Sequence, residues 1–375
     1  MQDLKRKFQD ILAVADVRIN GNRPWDIQVH NDRLYPRVLQ QGSLGFGEAY
    51  MDGWWDAEQL DEFFYHILRE NLQQEVSLSW PMLRTFVKSW LQNPQSGKKS
   101  FEVGKRHYDT GNDLFERMLD KRMVYTCGYW LGVDTLDEAQ EKKLDMVCQK
   151  LQLSAGQRVL DIGCGWGSFA KFAAENYDVE IVGLTVSREQ QELARDRCKG
   201  LPVEIRLQDY REMDEKFDRI VSLGMFEHVG VKNYRTYMRV AARCLGDDGI
   251  FVLHTIGGNI SVRNTDPWIE KYIFPNSMIP SIRQIGLAIE DLFVMEQWDN
   301  YGPHYDRTLM AWYKNVNDHW DELKHKYSER FYRMWEYYLM ASAGSFRARK
   351  NQQWQIVLSK KGLVDKPPVV SSSEN

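Results

Sequence analysis

The residues able to do chemistry in this 375-residue chain fall in a few short runs. Val159-Leu160-Asp161-Ile162-Gly163-Cys164-Gly165-Trp166-Gly167 ends an apolar stretch on an acidic residue and follows it with three alternating glycines. Glycine lets the backbone turn sharply and lets a ligand come close, so Gly163, Gly165 and Gly167 suit a small-molecule cradle. The spacing is not the G-x-G-x-x-G of dinucleotide binding, and no Lys-Ser/Thr pair follows as in a phosphate loop. A glycine turn without a ligand is the competing account. Further along, Ser222-Leu223-Gly224-Met225-Phe226-Glu227-His228-Val229-Gly230 presents Glu227, and Leu253-His254-Thr255-Ile256-Gly257 presents His254. Taken singly, each reads equally as a site residue or as a satisfied polar group of the core. His228 is expected to make a structural hydrogen bond and His304 to be exposed. No histidine pair has i, i+4 spacing beside an acid, so no metal is expected.

These runs need elements to position them. Short apolar stretches at 158–162, 180–184, 203–206, 219–223 and 250–255 alternate with helical ones, and 308–312 and 355–358 are later strand candidates. Residues 135–151 read as a helix with Leu144, Val147, Cys148 and Leu151 on one face, which makes Cys148 a core residue. Alternation of this kind predicts an α/β fold with a doubly wound, mostly parallel sheet. Such sheets hold their sites at the carboxyl ends of the strands, where Glu227, His254 and the glycine loop would share one crevice. Residues 1–95 form a separate block of helices and Gly-rich turns such as 42–47, with an amphipathic helix over 76–91. Residues 96–106 read as a linker, 107–365 as the catalytic domain and 366–375 as a disordered tail. Arg84, Lys88, Lys98, Lys99, Lys105 and Arg106 crowd the first boundary, as an ordinary solvated linker or as a surface for anionic lipid headgroups.

The formal net charge of −4 gives no global basic field, so nucleic acid is not an expected partner. The five cysteines are odd in number and lack C-x-x-C spacing, which argues against a disulfide framework or a zinc site and for a reducing cytosol. No uncharged apolar run reaches membrane-spanning length, and residues 1–14 lack an apolar signal core. Any membrane contact would be peripheral. The 13 Trp, 18 Tyr and 16 Phe suit a large core, and equally a hydrocarbon site or a membrane interface.

The run from Asp161 to Gly167 resembles the first motif of Rossmann-like class I methyltransferases that use S-adenosylmethionine. That resemblance implies an acid ending the second strand, and the chain departs from it. Val182-Gly183-Leu184-Thr185-Val186-Ser187 has no carboxylate there, so Thr185, Ser187 and Gln190 would supply hydrogen bonds instead. Asp209, with Gln208 beside it, falls where an adenine amino group is accepted; a solvated loop acid is the alternative. Several longer runs are similar to bacterial cyclopropane fatty acid synthases. They are residues 42–55, Tyr108-Asp109-Thr110-Gly111-Asn112-Asp113, Tyr125-Thr126-Cys127-Gly128-Tyr129-Trp130, Phe226-Glu227-His228-Val229-Gly230 and Leu309-Met310-Ala311-Trp312-Tyr313, and the likeness spans about residues 10–360. It implies transfer of a methyl group to a cis double bond of a membrane phospholipid acyl chain. A carbocation forms, a proton leaves the new methyl group, and a cyclopropane ring closes.

The same resemblance implies a bound bicarbonate as proton acceptor. Its ligands carry over as the backbone N–H groups of Cys127 and Ile256 and the side chains of Glu227, His254 and Tyr305. Glu227 acting itself as the base is the alternative. Tyr125 and Thr126 carry over as contacts of S-adenosylmethionine. The Cys127 thiol is expected to be passive, because an alkene offers it no electrophile. Tyr125, Phe226, Trp268, Tyr272, Phe274 and Tyr305 are candidates for an aromatic wall around the cation, and plain core is the competing account for all but Tyr305. The N-terminal block resembles a helical domain that holds these enzymes on lipid, at the inner face of the cell membrane, and the resemblance also allows a homodimer. The rivals are an enzyme that methylates without closing a ring, one acting on carrier-bound chains, and a lipid-surface protein with a relict pocket.

Overall fold

The computed structural model describes residues 2–70 and 111–364. The helix expected over 76–91, the basic linker, His107 and the tail from 366 lie outside them. The chain divides into two compact units, and the division is not linear. One unit gathers the described part of Met1–Gln92 with Asn264–Pro275 and Tyr305–Asn351; the other takes the described part of Asn93–Arg263 with Asn276–His304 and the residues from Gln352. Two segments expected in the catalytic domain therefore cluster with the N-terminal block.

The second unit is built on a seven-stranded sheet among the described residues. Its strands are β1 (Arg158–Ile162), β2 (Glu180–Thr185), β3 (Val203–Leu207), β4 (Phe217–Leu223), β5 (Leu245–Gly258), β6 (Val294–Asn300) and β7 (Asn351–Ser359). They lie in the order β3-β2-β1-β4-β5-β7-β6. Strands β1 to β5 pair in parallel, and β6 runs antiparallel to β7. The apolar runs are buried on both faces, as a parallel sheet covered by helices requires: β1 carries Val159, Leu160 and Ile162, and β5 carries Ile250 to Leu253, all nearly inaccessible. The helix Leu136–Lys150 starts on a capping box between Thr135 and Glu138. Its inner face holds Leu144, Val147 and Cys148, as the spacing predicts.

The other unit is helical. Glu329–Arg347 is its hub, touching both Leu34–Met51 and Leu60–Arg69. Arg347 donates to Asp61 at 2.8 Å, Glu62 at 2.6 Å and Asp306 at 2.9 Å. Glu336 accepts from the hydroxyls of Tyr50 and Tyr313. Glu48 takes hydrogen bonds from Arg37, Lys271 and Tyr272. These contacts hold its carboxyl down at about 2 against the desolvation of burial, which alone would raise it.

Two expectations of local structure fail here. Residues 308–312 are not a strand but lie within the helix Gly302–Asp318. The β-branched and aromatic run simply packs Thr308, Leu309 and Trp312 on one helical face, all buried. The glycines at 42–47 do not make a turn either. They sit in the helix Leu34–Met51, which bends where Gly42 takes φ 58°. Gly47 is there for close approach, since a Cβ on it would lie 2.4 Å from the Trp268 ring.

Candidate active site

The loop after β1 has the left-handed backbone that its glycines permit, with φ of 86° at Gly163, 54° at Gly165 and 75° at Gly167. The N–H groups of Gly163 and Cys164 both donate to the carbonyl of Leu184, tying the loop to the end of β2. A Cβ on Gly165 would meet nothing within 4 Å, whereas one on Gly163 would strike Met225 at 2.6 Å. Gly163 thus keeps the loop after β1 in contact with the turn after β4, which carries Glu227. Gly224, at the start of that turn, leaves room in the same way for Thr126, whose Cγ2 would be 2.7 Å from an added Cβ.

The segment Tyr125-Thr126-Cys127 is held from the helix Leu136–Lys150. Gln140 donates its amide to the Thr126 carbonyl at 2.8 Å, and Lys143 donates to the Thr126 hydroxyl at 2.9 Å. Tyr125 packs edge-on against Phe115. The Cys127 thiol is buried and donates to the Gly128 carbonyl. Asp161, at the end of β1, is buried with Oδ2 unpartnered among the described residues. Desolvation pushes its carboxyl up to about 7 despite the nearby Lys143, whose own ammonium is pushed down to about 8 by burial. An uncompensated polar atom beside an open glycine turn fits a polar small-molecule ligand.

Of the next contacts, Thr185 donates to the Gln190 side chain, and Ser187 caps the helix Arg188–Arg197 through the Gln190 N–H. The missing carboxylate at this strand end is thus replaced by a hydroxyl–amide cluster buried at the edge of β2. Asp209 is buried, not a solvated loop acid, and it takes a two-pronged ion pair from Arg211 at 2.8 and 2.6 Å. Gln208 donates its backbone N–H to the Thr185 carbonyl, which joins the ends of β2 and β3.

Glu227 and His254 come together with Ile256. Glu227 lies on a single 3-10 turn after β4, and its Oε1 accepts the Ile256 N–H at 2.6 Å. His254 lies opposite Leu223 across the β4–β5 pair, two residues before Ile256 and so on the same face of β5. Glu227 Oε2 and His254 Nε2 are buried and unpartnered among the described residues. Desolvation raises the Glu227 carboxyl to about 7. Burial, with Lys143 and Lys150 near, drives the His254 imidazole well below its ordinary value, so it is neutral at physiological pH. His228 is also neutral, lowered to about 4 by burial. His304 is half-buried, and its Nδ1 accepts the Trp130 N–H at 3.1 Å. Tyr305 belongs to the helical unit, where it packs on Phe346 and Trp312. Phe226 stacks on Tyr234 at 4.2 Å inside the sheet core, which favours the plain-core account for that ring.

Lys143, Lys150, Gln140 and Gln355 support this site, and pattern reading passed over them. The signal was available: Lys143 and Lys150 fall on the apolar face of their helix, where a lysine is almost never buried without a partner.

The sheet order, the glycine loop opening a helix and the polar cluster at the carboxyl edge define a class I S-adenosylmethionine-dependent methyltransferase fold. Residues 95–356 match the family described as mycolic acid cyclopropane synthetase, and the chain belongs to that family. It is 54% identical to the cyclopropane-fatty-acyl-phospholipid synthase of Escherichia coli strain K12, over 95% of this chain and 93% of that protein. The cyclopropane synthase MmaA2 from Mycobacterium tuberculosis superposes with a TM-score of 0.66 at 32% identity, covering 69% of this chain and 98% of that one. The mycolic acid cyclopropane synthase CmaA1, complexed with S-adenosylhomocysteine (SAH) and CTAB, gives a TM-score of 0.65 at 32% identity over the same shares. The protein is therefore an S-adenosylmethionine-dependent enzyme.

Proposed function

We propose that this enzyme transfers a methylene group from S-adenosylmethionine to the cis double bond of unsaturated phospholipid acyl chains. The methyl group forms a bond to one alkene carbon as its bond to sulfur breaks, leaving S-adenosylhomocysteine and a carbocation. Loss of a proton from the new methyl group lets its electron pair close the ring. The identity to the Escherichia coli synthase over nearly the whole chain supports this substrate class. The carrying observation is the pair of orphaned buried atoms, Glu227 Oε2 on the turn packed against the glycine loop and His254 Nε2 on the neighbouring strand β5.

We assign the donor to Tyr125, Thr126, Asp161, Gly163, Gly165, Gly167, Thr185, Ser187, Gln190, Gln208 and Asp209. Glu227, His254, Tyr305 and the backbone N–H groups of Cys127 and Ile256 are assigned to a small oxyanion. The two orphaned atoms fit such an ion, since a carboxyl near its midpoint and a neutral imidazole both hydrogen-bond without adding full charge. Bicarbonate bound there supplies a proton acceptor that has no side-chain nucleophile to trap the cation. Glu227 anchors the cluster to β5 through Ile256, and the buried setting keeps water from the cation. Among the described residues no helix is long and apolar enough to cross a membrane. We place the enzyme in the cytoplasm, reaching lipid from the side at the inner face of the cell membrane, with a homodimer as its assembly.

The test is transfer of labelled methyl from S-adenosylmethionine to vesicles of unsaturated phosphatidylethanolamine and phosphatidylglycerol, followed by lipid mass spectrometry. A gain of one methylene with loss of the alkene is expected. Unlabelled lipid would sink the proposal, and a methylated chain that keeps its double bond would place the enzyme among the non-cyclising methyltransferases. Glu227→Ala should abolish turnover while S-adenosylmethionine still binds by calorimetry; loss of both would make Glu227 a donor ligand instead.

A further inference from the structure

We infer that Lys150 and Gln355 are positioning residues that fix which nitrogen of His254 carries its proton, so that Nε2–H is the group offered to the oxyanion. The inference rests on the proposed role of His254, and it follows from a hydrogen-bond chain with only one consistent direction. Lys150 is 1% exposed, and its ammonium has three protons to place. It donates to Asp299 at 2.6 Å, to the Tyr301 hydroxyl at 3.0 Å and to the side-chain oxygen of Gln355 at 2.7 Å. All three donors are spent. Burial lowers the Lys150 pKa below the ordinary lysine value, the hydrogen bond and charge of Asp299 oppose that shift, and the three acceptors arranged around Nζ call for the ammonium form. Gln297 donates to the same Asp299 oxygen.

A charged lysine can face only the oxygen of the Gln355 amide, because the NH2 end would set donor against donor. The amide is thereby locked with its NH2 group on the other side, where it meets His254 Nδ1 at 3.2 Å. An NH2 group has no lone pair to give, so Nδ1 must be the unprotonated nitrogen. In a neutral imidazole the proton then sits on Nε2. That nitrogen is buried and unpartnered among the described residues. The direction of the chain thus runs Lys150 to Gln355 to His254 and ends on a donor. The Gly224 N–H bond to the His254 carbonyl fixes the backbone on the other side. The lysine lies on the helix Leu136–Lys150, Asp299 on β6, Gln355 on β7 and His254 on β5, so three strands and a helix converge on one proton.

The experiment is long-range 1H–15N correlation of 15N-histidine-labelled enzyme, with the His254 signal assigned by its loss in His254→Gln. The native protein should show the pure Nε2–H tautomer from pH 6 to 9. Gln355→Glu places a carboxylate between Lys150 and Nδ1; it keeps the lysine paired and should switch the ring to Nδ1–H. Gln355→Met, of similar volume and without polar atoms, should give a mixture of the two forms and guards against a carboxylate artefact. An Nδ1–H signal in the native protein, or an unchanged tautomer in Gln355→Glu, would overturn the inference whatever the activity. The second readout is the bicarbonate concentration that gives half-maximal turnover. In Gln355→Glu it should rise roughly ten- to hundredfold, the cost of losing one hydrogen bond to a charged partner, with the KM for S-adenosylmethionine unmoved. A tautomer that switches while the bicarbonate requirement stays put would leave the tautomer assignment standing and overturn the oxyanion reading instead.

Discussion

Glu227→Gln should make the protein more stable than the native chain, by a margin that grows as pH rises from about 4.5 and levels off above about 7. In the fold the Glu227 carboxyl is raised to about 7 from an ordinary 4.5, because burial disfavours its charged form. A raised folded value means that the stability is fully present below about 4.5 and is withdrawn as pH climbs through about 7. The difference between the two values, at about 1.4 kcal/mol for each tenfold change in proton concentration, comes to about 3 kcal/mol lost by pH 8. Glutamine keeps the oxygen that accepts the Ile256 N–H and has nothing to ionise. The variant should therefore exceed the native protein by about 3 kcal/mol at pH 8 and by less than about 1 kcal/mol at pH 5. The assay is a urea titration in buffer purged of carbon dioxide, following hydrogen exchange in β4 and β5 so that the sheet unit is read directly. A variant no more stable at pH 8, or one with the same gain at both pH values, would refute the reasoning.

Two further outcomes are expected. Lys143→Met removes the tether on Thr126 and should raise the KM for S-adenosylmethionine roughly tenfold. Calorimetry should show a thermal midpoint at or above the native one, since the burial that drives the lysine down to about 8 no longer opposes folding at neutral pH. Arg347→Met strands Asp61, Glu62 and Asp306 together and should cost roughly 2–4 kcal/mol in a urea titration read from the helical unit.

The sheet was legible because its strands are continuous apolar runs set off by glycine and helix signals; all five parallel strands fall where those runs stand. The sixth, Val294–Asn300, was missed because its residues alternate weakly and include Glu296, Gln297, Asp299 and Asn300, which are read as loop unless the partner strand is known. Residues 308–312 failed for the opposite reason: five residues cannot separate a strand from the buried face of a longer helix. The site motifs were visible as types and spacings. Of the groups that orient them, only the two lysines left a trace, on the apolar face of their helix; their partners did not, since Asp299 and Gln355 lie 149 and 205 residues from Lys150 and meet it only through the topology. The grouping of residues 264–275 and 305–351 with the first helices was not legible on the same ground, because the helix Glu329–Arg347 supplies the surface on which those helices pack.

The helical unit is assembled from segments more than two hundred residues apart in sequence, and this limits how the protein can be cut. Removing the first seventy residues would leave the guanidinium of Arg333 without Asp56 and the carboxylate of Glu336 without the Tyr50 hydroxyl, both in partly buried settings. Conversely, a fragment ending before residue 264 would carry Glu48 without Lys271 and Tyr272. The helices of residues 2–69 gain these partners only once residues 264–351 have been made, so this unit completes its packing after the whole parallel part of the sheet has left the ribosome.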